Sequence, residues 1–153
     1  MRKLILASLL AAVPLIPATA FADPTPEELN VKARQGFFEM LSLNMGPLAA
    51  MAKGDMPYDE ATAVLHASNI ESLTRYYLPI HFVPGTSTDD MENTGALPKI
   101  WDDLDGVKEK FAGLQQAAVG VGEAVKGGQQ NVGPVVQQLG GACKACHDNY
   151  RKK

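Results

Sequence analysis

The sequence has no stretch of alternating apolar and polar residues that reads as a strand, which excludes a sheet-based fold. It has no surplus of basic charge: 14 Lys and Arg stand against 17 Asp and Glu, which argues against a nucleic-acid partner. It has no second long apolar run beyond residue 22, so the chain from there on should be soluble, without stable membrane insertion. Cysteine is nearly missing: Cys143 and Cys146 are the only two, enough for one disulfide at most. No acid and base pair stands out either, which leaves enzymatic turnover without visible machinery.

What is present starts with an export signal. Met1-Arg2-Lys3 is basic, Leu4 to Val13 is apolar apart from Ser8, and Ala20-Phe21-Ala22 is a small-x-small cleavage pattern. The apolar run is too short to span a bilayer, and Pro14 and Pro17 interrupt it. Residues 1–22 are therefore expected to be a cleaved signal peptide and 23–153 one domain, in the periplasm. Without Arg2 and Lys3 the 14 basic residues become 12, and the mature balance against 17 acidic residues is −5.

The mature part reads as four amphipathic helices. Thr25-Pro26-Glu27-Glu28 combines a cap, a first-turn proline and a capping box, and Gly54 marks the stop. Phe38, Leu41, Met45, Leu48 and Ala52 form the apolar seam, with Gly46-Pro47 predicting a kink. A second helix starts at Met56-Pro57-Tyr58-Asp59 and should run to just before Pro79, with His66, Ile70, Leu73 and Tyr77 on one face. Residues 81–94 read as a long loop. The third helix starts near Ala96-Leu97-Pro98 and carries Ile100, Leu104, Val107, Phe111, Leu114, Ala118, Val121 and Val125 in heptad spacing up to Gly127-Gly128. The fourth starts near Asn131, with the seam Val132, Val136, Leu139, Cys143, Cys146 and Tyr150. Three-four stripes pack helices about 20° apart. The expectation is an all-α, antiparallel up-down-up-down four-helix bundle with a left-handed twist.

Cys143-Lys144-Ala145-Cys146-His147 is the attachment pattern for a c-type haem. Residues i and i+3 share a helix face, so both thiols reach one edge of a porphyrin, and the next residue turns an imidazole toward the iron. A disulfide at this spacing would be strained and needs no histidine. A thioredoxin-like pair wants a βαβ setting, and a zinc site would need His66 or His81 at spacings nothing fixes. The expected cofactor is one covalent haem c per chain, with Cys143 and Cys146 as the thioethers and His147 on the iron. Gly140 and Gly141, just before the cysteines, would let a flat ligand come close to the backbone.

The motif and its surroundings, Cys143 through Arg151, resemble cytochrome c′, a class II c-type cytochrome. So do Ala33-Arg34-Gln35, the Pro84-Gly85-Thr86 loop and Ile100-Trp101. The bundle is one for which this family itself serves as a standard example. The resemblance implies that Arg34 and Gln35 contact the haem propionates or edge, and that Arg151 lies on the proximal side. It implies that Phe38, four residues after Arg34, covers the distal face where low-spin relatives carry a ligating methionine. It does not extend to Asp89 and Asp90, where the loop carries extra residues; Trp101 reads as core. The function expected is a five-coordinate, high-spin haem that binds nitric oxide and carbon monoxide and takes part in electron transfer with a periplasmic redox partner. A homodimer through the first two helices is implied as well. The alternative is a low-spin His/Met carrier using Met40 or Met45.

Overall fold

The computed structural model describes residues 23–153; the expected signal peptide and its cleavage site lie outside the described residues. Helix α1 spans Pro26–Lys53. The Thr25 hydroxyl accepts from the Glu28 amide and the Glu28 carboxylate accepts from the Thr25 amide, closing the capping box. The helix continues through Gly46-Pro47 without interruption, and Gly54 ends it. Leu41 and Leu48 of the expected seam are buried, and Met45 and Ala52 pack against the same core. Phe37 is buried, whereas Phe38 is 37 % exposed. Val31, Arg34, Phe37, Leu41, Leu48 and Met51 form the buried face. Two adjacent aromatics lie 100° apart on a helix, and three-four spacing alone is satisfied by either.

Helix α2, Glu60–Thr74, is capped by the Asp59 side chain and stops five residues short of Pro79. The Arg75 and Tyr76 amides bond to the carbonyls of Ser72 and Leu73, tightening the last turn. A short 3-10 turn, Leu78–His81, follows. Tyr77, expected on the seam, is exposed, while Leu78 is buried in its place.

The third expected helix is three pieces: α3, Lys99–Asp102; α4, Leu104–Ala118; and α5, Val121–Ala124. Asp103 breaks the first junction, because its carboxylate leaves the helix to cap Gly106. At the second junction Val119 is extended and Gly120 takes a left-handed conformation, φ 72°. The heptad spacing survives both breaks: Val107, Phe111, Leu114, Ala118, Val121 and Val125 are all buried, and Leu104 alone turns outward. Helix α6, Val132–Tyr150, is continuous and buries Val132, Val135 and Leu139, with Val136 half-buried beside them.

These helices make a four-helix bundle: α1 packs on α2 and α6, α4 on α6, and α2 on α4 and α5. Leu48, Met51, Ile70, Val121, Val125, Val132 and Leu139 form one end of a continuous core. A smaller cluster, with Ala96, Ile100, Val107 and Tyr150, sits at the other end beside Cys146. There the chain after α6 returns to the loop. Ala96 and Arg151 form an antiparallel bridge, and the Leu97 amide donates to the Tyr150 carbonyl. No helix of the described residues is long and apolar enough to cross a membrane.

Candidate haem-binding cleft

One wall of the site comes from five consecutive residues of α6. Cys143 and Cys146 lie one turn apart, both half-buried, both free thiols, and both line the same cleft. Burial pushes the two thiols above their ordinary pKa. His147 lines the cleft beside them. Burial first, and the Arg151 charge second, pull its imidazole below the ordinary value, so it stands neutral with a lone pair available. Asp148 opposes that shift, but its carboxylate is bonded to Lys144 and turned to solvent.

The cleft holds about 560 Å³ and runs between α1, α4 and α6, with the 81–96 segment along one side. Its lining is mainly apolar: Val31, Leu41, Met45, Ile100, Val107 and Leu114 among others. That volume and lining suit a cofactor-sized apolar group. Gly140 is on the cleft wall, and a Cβ there would meet nothing within 4 Å. Gly141, paired with it in sequence, faces solvent and does not line the cleft. Two thiols one turn apart, an adjacent neutral imidazole and an apolar slot are the donor set a covalent haem requires.

The opposite wall is assembled from distant residues. Phe38 reaches in from α1, its ring centroid 6.0 Å from that of His147 and nearly edge-on at 71°. Phe37 holds it from behind at 5.5 Å. Arg34 and Gln35 also line the cleft. The Arg34 guanidinium, only 3 % exposed, turns into the loop and donates to the His81 carbonyl, the Thr86 hydroxyl and carbonyl, and the Thr94 hydroxyl. It also lies over the Phe82 ring, 4.8 Å from its centre. Desolvation draws its pKa down to about 10. Gln35 donates to the Asn93 carbonyl.

The loop is thus a folded element, and three of its residues escaped sequence reasoning: Phe82, Thr86 and Thr94. One signal was available. In Pro84-Gly85-Thr86 the left-handed Gly85, φ 76°, turns the chain so that Thr86 is fully buried against Arg34. The remaining candidates divide cleanly. Met45 lines the cleft and Arg151 stands at its edge beside His147. Met40 does not: it lies 200° round the helix from Phe38 and lines a separate groove. His66 is bonded to Asn44, and His81 to Asn30 and Tyr76; neither lines the cleft. Asp90 caps Ser87 and Asp89 is exposed. Trp101 is half-buried against Phe82 and donates to its carbonyl.

The separate groove, about 640 Å³, lies between α1 and α2 and is lined by Phe37, Met40, Leu73, Tyr76 and His81 among others.

Residues 30–151 match the family model described as Cytochrome C′. Over its whole length the chain is 42 % identical to a cytochrome c′ of Cereibacter sphaeroides, covering 99 % of that protein. It is 37 % identical to a cytochrome c-556 of Agrobacterium tumefaciens over 81 % of this chain and 98 % of the relative. Among solved structures, a cytochrome c′ described as from Rhodobacter spheriodes superposes with a TM-score of 0.80 at 43 % identity, covering 84 % of this chain and 99 % of that one. The cytochrome c′ of Rubrivivax gelatinosus gives a TM-score of 0.71 at 30 % identity, over 83 % and 97 %.

Proposed function

From a chain that belongs to the cytochrome c′ family of haem c proteins, we infer a periplasmic cytochrome whose haem iron is five-coordinate and high-spin, binds nitric oxide and carbon monoxide, and exchanges electrons with a periplasmic partner. Cys143 and Cys146 carry the thioethers and His147 is the protein ligand. Haem, when bound, supplies a redox-active iron with one position open to a diatomic gas.

The observation that carries this reading is Phe38 against His147. On the side of the cleft facing the imidazole, α1 presents a hydrocarbon ring with no lone pair. Such a ring keeps water out and yields to a small gas by moving aside. His147, held neutral by burial, supplies its lone pair on the other side. The two cysteines anchor one edge, so the residues of α1 decide what reaches the iron.

The test is the absorption spectrum of the ferrous protein with and without nitric oxide. A high-spin, five-coordinate spectrum that shifts on adding the gas is expected. A low-spin spectrum with a methionine–iron charge-transfer band would overturn it. That outcome would point to Met45, since Met40 belongs to the other groove. Replacing Phe38 by Ala should speed carbon monoxide binding; an unchanged rate would remove Phe38 from the gate.

We propose further that two copies pair through α1 and α2. The groove between these helices leaves Met40 and Tyr76, each nearly half exposed, on an apolar face. Sedimentation of the holoprotein tests it, and a Met40→Glu variant should shift it to monomer.

A further inference from the structure

Helix α6 ends at Tyr150, less than one turn beyond His147, and it ends without the glycine that closes α1. In α1, Gly54 takes a left-handed conformation and turns its amide back onto the Ala50 and Met51 carbonyls. Arg151 instead leaves α6 extended, φ −117° and ψ 134°. Its amide reaches the His147 carbonyl only across 3.3 Å, longer than an ordinary helical bond. A helix end leaves its last carbonyls without partners in the helix, and the final turn frays unless something outside takes them. Here the outside partner is the 95–97 segment. The Leu97 amide donates to the Tyr150 carbonyl at 3.0 Å, and the Lys152 amide donates to the Gly95 carbonyl at 2.9 Å. Between these bonds Ala96 and Arg151 pair as an antiparallel bridge. The segment is itself held in place. The Ala96 carbonyl takes the Thr88 amide, and the Ala96 amide donates to the Thr94 hydroxyl. Ala96 and Tyr150 are both buried and share a cluster with Cys146.

We propose that residues 95–97 are a distant cap for α6 and the positioning segment of the iron ligand: by pairing with residues 150–152 they keep the last turn helical and so fix where His147 stands in the cleft. The direction of a side chain is set by the backbone of its own turn. His147 lies in the turn that this pairing closes. Cys143, a full turn earlier, rests on hydrogen bonds inside the helix. Thioethers at the two cysteines fix an edge of the cofactor and leave the turn beyond them free to fray, so the imidazole needs a restraint of its own. The pairing also ties the two walls of the cleft together. Gly95 and Ala96 line it from the loop side, and His147, Tyr150 and Arg151 line it from α6. Every bond in it is made by backbone atoms, so the side chain at position 152 plays no part.

The proposal rests on His147 being the iron ligand. Lys152→Pro and Lys152→Ala, compared in the ferric holoprotein, test it. Both remove an exposed side chain, and only proline removes the amide that bonds Gly95. The extended Arg151 accepts a following proline without strain. Two quantities are read: amide exchange along α6, and the hyperfine-shifted proton resonances of the His147 ring, which report its placement against the iron. Lys152→Pro should speed exchange of the amides of residues 149–151 by about tenfold and shift the ring resonances, with the α6 amides before Cys143 still protected. Lys152→Ala should match the parent in both. Leu97→Pro removes the other bond and should give a larger change of the same kind; the Lys152 pair decides the matter even where Leu97→Pro does not fold. Unchanged exchange in Lys152→Pro would mean that the segment is no cap. Unchanged ring resonances would mean a cap that does not position His147. A change in Lys152→Ala as large as in Lys152→Pro would assign the effect to the side chain. Each of these overturns the proposal. A parent without shifted ring resonances would overturn the assignment of His147 as the ligand, and the proposal with it.

Discussion

The two walls of the cleft are built in opposite ways. On α6, Cys143, Cys146 and His147 fall within five consecutive residues of one continuous helix. Across from them, Arg34 and Phe38 come from α1 and Thr94 to Ala96 from a loop about sixty residues further on, joined by a single guanidinium. The helical wall needs only backbone hydrogen bonds to hold its spacing. The assembled wall needs side chains distant in sequence to find each other. Chemistry that must be geometrically strict is local here, and chemistry that tunes is spread out.

That contrast can be attacked in order of expected effect. Cys143→Ser with Cys146→Ser should abolish covalent attachment altogether, read as loss of haem from the denatured chain by mass spectrometry. The fold of the assembled wall should survive it. Leu139→Ala, at a fully buried position under the helical wall, should cost about 2–5 kcal/mol in chemical denaturation of the holoprotein. Gly85→Ala strains the left-handed turn of the assembled wall and should cost about 1–2 kcal/mol. Its exchange effect should be confined to the loop and leave α6 protected; a global effect would mean the walls are not independent.

The smallest effect is expected where the walls meet. The Tyr150 hydroxyl on α6 donates to the Asp103 carboxylate at the α3–α4 break. That bond holds Asp103 below the usual carboxylate range and pushes the phenol up to about 12. The signs are opposite. The contribution of Asp103 is present above the ordinary carboxylate pKa and fades as pH falls through its lower folded value. That of Tyr150 is complete below the ordinary phenol pKa and fades as pH rises toward about 12. Tyr150→Phe should flatten both limbs of a stability-against-pH curve, with little change in the haem spectrum.

The helical wall was legible from sequence because its information is contiguous: the spacing of Cys143, Cys146 and His147 names the cofactor before any fold is known. The bundle was legible for a related reason, since a three-four apolar period needs only a helix to give it meaning. The burial of Phe37 was not, because Phe37 and Phe38 both fit that period and only the packing partners separate a core residue from a cleft residue. Phe111 and Tyr76 take Phe37. Nor were the breaks at Asp103 and Gly120, where a local cap or a left-handed residue interrupts a heptad pattern that itself runs on unbroken. The stretch from 81 to 94 read only as a long loop, because what orders it is Arg34, some fifty residues earlier. By composition alone, Thr86 and Thr94 look like solvent-facing residues.

Phe37 has a consequence of its own. It lines the groove between α1 and α2, and its ring touches Phe38 and Phe111, both of which line the cleft. The partition between the groove and the cleft is therefore two aromatic rings thick at this point, Phe37 and the ring it touches. A tightly packed partition that thin cannot be displaced from one side without being felt on the other. What settles into the outer groove leans on the chamber behind it.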